Sequence, residues 1–345
     1  MTWIPLLLAD SSTSLRLLVL RNLLKRPEDD PEVIELTLIR DEDPLVKSLL
    51  SLQKERGSWK QLDHAGHTIG GSIRATSAAM MRLGYLGFTK EDSAVSKAAE
   101  FLFSKQRKDG SWPLPERVTD TYGGKGPYTI SPIQTSVPLL GLAMCGYSDD
   151  PRSEQAYEWL MQHRLDDGAW PAGMVNDVFV RIAGYRRLPH SKWGCRTNTT
   201  QSIMCLAFHP IRSKSDAARD ALNLLLGRET RERLHLGFNV ARYIGYEPHR
   251  GGLTYHARFD PGLVLSLCSK IGANRNDDRV DDLVTWIENQ QGAYGLWEYT
   301  SQPAASKWVS YDILNSLGNV DSSTQWISSK PRKHFAPYPR RKRRF

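Results

Sequence analysis

One pattern recurs along this chain and restricts its fold more than any other feature. Lys97-Ala98-x-x-Phe101-Leu102-x-x-x-Gln106-x-x-x-Gly110-x-Trp112 is the fullest copy. Gln155-Ala156-x-x-Trp159-Leu160-x-x-x-Arg164-x-x-x-Gly168-x-Trp170 is a second, Trp286-Ile287-x-x-x-Gln291-x-x-x-Gly295-x-Trp297 a third, and Leu49-Leu50-x-x-Gln53-x-x-x-Gly57-x-Trp59 a fourth. Self-similarity at a spacing of roughly 50 to 60 residues marks a repeat architecture, and the repeat has to be read before any single residue. The glycine leaves a helix and turns the chain back, the glutamine satisfies backbone groups at the helix end, and the tryptophan packs on a neighbouring repeat. The motif therefore reads as a stabilising clamp rather than as catalytic machinery.

The segments before these motifs recur too. "IRATSAAMMRLGYLG" (73–87), "IQTSVPLLGLAMCG" (133–146), "TTQSIMCLAFHP" (199–210), "PGLVLSLCSKIG" (261–272) and "KWVSYDILNSLG" (307–318) are rich in small and apolar residues. Helices apolar on most faces are buried on most faces. The motif helices, such as "SEQAYEWLMQHR" and "RVDDLVTWIENQQ", alternate apolar and charged positions at helical spacing and keep one wet face. A buried helix followed by an amphipathic one, about five times over, predicts two concentric layers. No series of alternating strands competes, so the class is all-α, with an N-terminal helical extension over 1–43, the repeats over 44–320 and a basic C-terminal tail over 321–345.

The chain carries a formal charge of +8, but the excess is local. The last sixteen residues, "KPRKHFAPYPRRKRRF", hold eight Lys or Arg and no acid, and without them basic and acidic residues balance at 38 each. A neutral body argues against nucleic acid as the partner, while the tail suits a solvated end, or contact with an anionic membrane or RNA. Four dispersed cysteines without a C-x-x-C pair predict reduced thiols and a cytoplasmic protein. The start lacks a basic segment ahead of its apolar run, which argues against a signal peptide, and no apolar run is long enough to span a bilayer.

The pattern K/R-A-x-x-F/W-L-x-x-x-Q-x-x-x-G-x-W resembles the QW repeat of squalene-hopene and oxidosqualene cyclases. The alternation of inner and outer helices resembles the α/α toroid that those enzymes share with protein prenyltransferase β-subunits. The opening "SLRLLVLRNLLKRPEDDPEVIEL" resembles short prokaryotic cyclase-like proteins. The resemblance covers roughly residues 44 to 320 and implies a single toroid whose cavity holds an apolar isoprenoid or lipid, cyclised or isomerised by protonation. Class II cyclases protonate through a D-x-D-D motif. Neither "YSDDPRSEQ" (Asp149, Asp150) nor "NDDRVDDL" (Asp277, Asp278, Asp281, Asp282) fits it, and both sit where acids cap helices. The prenyltransferases imply an Asp/Cys/His zinc site. His190, Cys195 and His209 lie near one another in sequence, with His256 and Asp260 one repeat later, but the i, i+5 spacing of His190 and Cys195 is no familiar ligand pair.

A site is expected where the N-terminal ends of the inner helices converge. Aligning the helix ends puts Arg74 and Thr76, Gln134 and Thr135, Asn198 and Thr199, Arg258 and Asp260, and Lys307 and Trp308 at that mouth. Such a rim over an apolar cavity suits an amphipathic small molecule, and helix N-termini favour an anionic head. Asp63 and His64 before the first inner helix, with His67 beside them, and His256 and Asp260 before the fourth, are candidates for acid–base work. Trp193, Tyr255 and Trp308 offer aromatic faces to a cationic intermediate. Asp-Pro at 260–261 also reads as an ordinary helix start. The insertions 115–132 and 171–194 are long enough to act as lids. No metal or cofactor is expected, and no dinucleotide or phosphate-loop fingerprint, nucleophile elbow or H-E-x-x-H is present. Two alternatives stay open: a toroid that binds a lipid or protein without catalysis, and a glycan-active α/α barrel using Asp63 and Asp260 as paired carboxylates.

Overall fold

Asp followed by Pro starts helices throughout the chain. The pair occurs at 30–31, 43–44, 150–151 and 260–261, and each Asp side chain accepts a backbone N–H from the first turn. The carboxylate satisfies one of the orphan donors of the helix start, and the proline gives up a donor that would have had no partner. A computed structural model describes residues 3–60, 71–113, 130–181, 185–227, 235–247 and 259–322.

The N-terminal segment contributes α1 (Trp3–Leu8), α2 (Thr13–Leu18) and α3 (Pro31–Ile39), with a wide π-type turn over Val19–Leu23. Leu17, Leu20, Val33 and Leu36 form a small core of their own, while Leu7, Leu15, Leu18 and Val19 join the main core. The expected inner helices are α5 (Gly71–Tyr85), α7 (Ile133–Met144), α9 (Arg196–Ala207), α12 (Pro261–Ile271) and α14 (Ser306–Ser322). The outer ones are α4 (Pro44–Leu50), α6 (Ser93–Phe103), α8 (Pro151–Gln162), α10 (Asp216–Leu226) and α13 (Asp278–Glu288). Inner helix packs on inner helix in the order α5, α7, α9, α12, α14, and the short α11 (Phe238–Tyr243) bridges α14 back to α5. This is the all-α toroid. The layers separate as the residue pattern requires. Every residue of α9 from Thr197 to Ala207 is buried, whereas α8 buries Ala156, Tyr157, Trp159 and Leu160 and leaves its other side wet.

Small residues let the inner helices approach closely. A methyl group added at Gly84 would lie 2.7 Å from the Met144 carbonyl oxygen, and one at Gly141 would lie 2.8 Å from that of Ser77. The α5–α7 contact is therefore a glycine-to-backbone seam that any side chain would force apart.

The clamp motif forms four times with one geometry. The indole Nε1 of Trp59, Trp112, Trp170 and Trp297 donates to the carbonyl of Leu49, Leu102, Leu160 and Ile287, each ten residues earlier, at 2.7–2.8 Å. All four indoles are fully buried. Gln106 Nε2 donates to Gly110 O at 2.9 Å and across to Arg152 O of α8 at 2.8 Å, and Gln53 does the same with Gly57 and Ala94 of α6. The tryptophan thus closes back on its own outer helix, and the glutamine reaches the next one. Gly110 has φ +87°, and a Cβ there would lie 2.5 Å from Gln155 O. Both turn and fit demand glycine, and the buried Ala156 that follows Gln155 is small for the same reason.

The insertion 171–194 contains a hairpin, β1 (Gly173–Val175) and β2 (Val178–Val180). Asn176 and Asp177 take positive φ between the strands, as a two-residue hairpin turn requires. The insertion 115–132 lies almost wholly, and the basic tail entirely, outside the described residues. Among the described residues no helix is long and apolar enough to cross a membrane.

Candidate functional site

Among the described residues a cavity lies by the C-terminal ends of α5, α7 and α9, away from the expected mouth. At the N-terminal ends, many polar groups are taken up by the fold, although Thr135 Oγ1 and Asn198 Oδ1 make no hydrogen bond among the described residues. Gln134 accepts from Ser131 N at 3.0 Å and donates to Trp112 O at 2.8 Å. The Asn198 amide donates to Pro171 O at 2.6 Å and Ala172 O at 3.0 Å. Thr76 and Thr199 accept the backbone N–H of Trp59 and Trp170, each at 3.0 Å. Asp260 is buried, and its carboxylate accepts the backbone N–H of Gly237, Gly262 and Asn239 at 3.0, 2.9 and 2.6 Å. Burial raises its pKa and those backbone bonds oppose the rise. It caps α12 and clamps the chain entering α11.

The other predicted residues are dispersed. Lys307 Nζ pairs with Asp10 at 3.1 Å. Trp193 lies against the hairpin, tilted on Phe179 with ring centroids 6.0 Å apart. Arg74 is half-buried in the first turn of α5, and Trp308 is buried with its ring 6.1 Å from that of Tyr85. Asp63, His64, His67, Tyr255, His256 and Arg258 lie outside the described residues. Of the residues raised for zinc, the His209 ring is taken up by Glu154 (Nε2 to Oε1, 2.6 Å) and by the backbone N–H of Ile211 and Arg212. No group of three metal-binding side chains occurs among the described residues. Asp150 and Asp277 cap α8 and α13 as expected.

At the C-terminal ends of α5, α7 and α9, enclosed also by α11, α12, α14 and the Val19–Leu23 turn, is a cavity of about 320 Å³. Leu18, Met144, Met204, Val240, Leu263 and Leu267 make its apolar wall. Phe208, Tyr85, Tyr243 and Tyr311 add aromatic surface, the Tyr85 and Tyr243 rings being stacked at 5.2 Å. Arg21, Asn22, Asn239, Lys270, Asp312 and Asn315 bring polar groups, with serines between them, so that about half of the lining is polar.

Asp312 is the residue that the sequence reading missed. It stands in the middle of α14, half-buried, and lines the cavity. Burial raises its pKa to about 7, and nearby Asp260 adds to the rise, while Lys270 and Tyr85 oppose it. The Tyr85 hydroxyl makes no hydrogen bond of ordinary length among the described residues, yet it is near enough to the carboxyl to interact with it. Burial drives Lys270 the other way, lowering its pKa against the pull of Asp312. Its Nζ lies 4.3 Å from the centre of the Phe208 ring. Asn22 Nδ2 donates to Tyr311 Oη at 2.6 Å and holds the N-terminal turn against this end of the cavity. The arrangement brings a carboxyl group of raised pKa, an amine and several π faces to one cavity.

Residues 40–185 match the family model of the squalene-hopene cyclase C-terminal domain. The chain is similar to squalene-hopene cyclases and lanosterol synthases. It is 27% identical over 156 residues to a squalene–hopene cyclase of Zymomonas mobilis, covering 42% of this chain and 23% of that protein. It is 25% identical over 154 residues to a lanosterol synthase of Candida albicans, covering 44% of this chain and 20% of that one. The matches thus span less than a quarter of those relatives' length. Among solved structures, a type II terpene cyclase from Scytonema aligns with 79% of this chain and 94% of its own at 15% identity and a TM-score of 0.33. The family match takes in three of the four clamps, those of Trp59, Trp112 and Trp170, and ends before α12 and α14, so Lys270 and Asp312 lie beyond it.

Proposed function

We propose that this protein binds an apolar isoprenoid in the cavity at the C-terminal ends of the inner helices and transfers a proton to it from Asp312. The observation that carries this reading is the position of Asp312, an isolated carboxyl group at the wall of an aromatic-lined cavity, with its pKa raised to about 7. At neutral pH a large fraction of it is protonated. A donor of that strength is weak toward a bare alkene and better matched to an oxygen such as an epoxide. The π faces of Tyr85, Tyr243 and Phe208 are placed to stabilise a carbocation formed beside them. Similarity to squalene-hopene cyclases and lanosterol synthases supports the same substrate class. The mouth residues Arg74, Gln134, Asn198, Lys307 and Trp308 act in this reading as framework, and the loops bearing Asp63, His64 and His256 remain candidates for a second acid–base group. Four buried free cysteines suit a reducing, cytoplasmic setting, and the basic tail would provide any membrane contact.

Incubation with squalene, oxidosqualene, farnesyl diphosphate and geranylgeranyl diphosphate, followed by mass spectrometry, tests the reading. A new isomer that disappears in Asp312→Asn is the expected result. Unchanged substrates throughout would remove catalysis.

A second reading is non-catalytic binding. It is favoured by the fully buried Met80 and Leu265, which add to the packed core, and by a cavity at the low end of the roughly 300–1,000 Å³ usual for small-molecule sites. A co-purified lipid recovered unchanged would support it.

A further inference from the structure

Lys270 has no role in the proton transfer just described, yet its position is unusual. Other described lysines have ordinary surface roles: Lys47, for example, is exposed and pairs with Glu42 at 2.7 Å. Lys270 lines the cavity from the last turn of α12. Among the described residues its amine makes no hydrogen bond or ion pair, and it rests over the Phe208 ring at 4.3 Å. Asp312 reaches the same space from α14, and Leu18, Met144, Met204, Val240, Leu263 and Leu267 give the cavity its apolar wall. A buried amine that shares a cavity with a carboxyl group of raised pKa is an arrangement in which lysine can act as a nucleophile toward carbonyl carbon.

We propose that Lys270 is a carbonyl-reactive amine, and that the cavity takes an apolar aldehyde or ketone which condenses with it while Asp312 carries the proton. This deepens the isoprenoid reading by naming a functional group on the ligand, and rests on that reading for the apolar tail. The Nζ lone pair attacks the carbonyl carbon, and the C=O π pair moves to oxygen, which takes the Asp312 proton. The nitrogen returns one proton to the carboxylate, giving a neutral carbinolamine. Asp312 then protonates the hydroxyl, the C–O bond breaks, and water leaves. The nitrogen lone pair closes the C=N bond. Aldehyde, amine and carboxylic acid thus become iminium, carboxylate and water, with no oxidant or reductant. The iminium is left in the same chamber as the Asp312 carboxylate. Burial assists both partners, drawing Lys270 toward the free amine and Asp312 toward the acid, while the π face of Phe208 accepts the cationic product.

The test uses the full chain, citral as an isoprenoid aldehyde, and cyanoborohydride to trap the imine. Peptide mapping should place the reduced adduct on Lys270, formed about tenfold or more faster than on exposed Lys47. Excess geraniol, which has no carbonyl, should suppress it. Lys270→Met should lose this adduct while native mass spectrometry still finds geraniol bound, and Asp312→Asn should slow trapping. Geraniol binding with Lys270 labelled no faster than Lys47 would overturn the proposal and leave the isoprenoid reading intact. Labelling of Lys270 by hexanal without geraniol binding would keep the amine and remove the isoprenoid. Failure of both removes both.

Discussion

The two ends of the inner-helix ring differ in how they use polar residues. At the N-terminal end, Gln134, Asn198, Thr199 and Asp260 are spent on backbone groups of the incoming loops. At the C-terminal end, Tyr85, Lys270 and Asp312 face a cavity and are left largely to one another. The first set follows the repeat, with similar residues at similar positions performing similar structural work. The second set varies from helix to helix: Tyr85 and Lys270 hold the same repeat position, two before the closing glycine, with different chemistry, and Asp312 occurs on α14 alone. In a repeat protein the residues that recur build the ring, and those that vary are where chemistry can be found.

Each of four substitutions tests this contrast. Trp112→Ala, on the repeated side, should cost about 3–5 kcal/mol in urea unfolding, since it empties a fully buried site and orphans Leu102 O. A loss below about 1 kcal/mol would show that the clamp does not hold the ring.

Asp312→Asn, on the unshared side, should act with the opposite sign. The carboxyl holds its proton more tightly folded (about 7) than unfolded (3.8). Folding therefore takes up a proton between those values, and the native state loses stability as pH rises from about 4 to 7. The asparagine variant should flatten this slope and gain on the order of 1–4 kcal/mol at pH 8 while losing proton transfer. Parallel stability curves for the two proteins would remove the assignment.

Asp260→Ala should cost about 2 kcal/mol by opening the α12 cap and the Gly237–Asn239 turn. Complete loss of binding with unchanged stability would move the site back to the N-terminal mouth. Gln106→Ala should have the smallest effect, about 1 kcal/mol, because the tryptophan bond of the same clamp survives.

The repeated half was legible in advance because periodicity multiplies weak signals. Gly-x-Trp after an amphipathic helix, seen four times, gave both layers and all five inner helices to within a few residues at either end. The outer helix α10 escaped notice because its Gly227 is not followed by tryptophan, although Asp220-Ala221 repeats the small-residue step of the other copies. Asp312 was illegible for a physical reason. One acid in "SYDILNS" has the spacing of an ordinary wet helix face, and only the packing of α5, α11 and α12 around it converts that face into a chamber wall. Helix starts are polar in any protein, so a criterion of polar residues at the helix starts also selects caps such as Asp260.

The Val19–Leu23 segment is wound one residue wide, with Leu24 N donating to Val19 O at 3.0 Å. That surplus residue sets the azimuth at which Asn22 meets Tyr311. Removing one residue ahead of Asn22 would restore ordinary pitch and swing its amide by about 100°, uncorking the chamber without touching anything that lines its greasy wall.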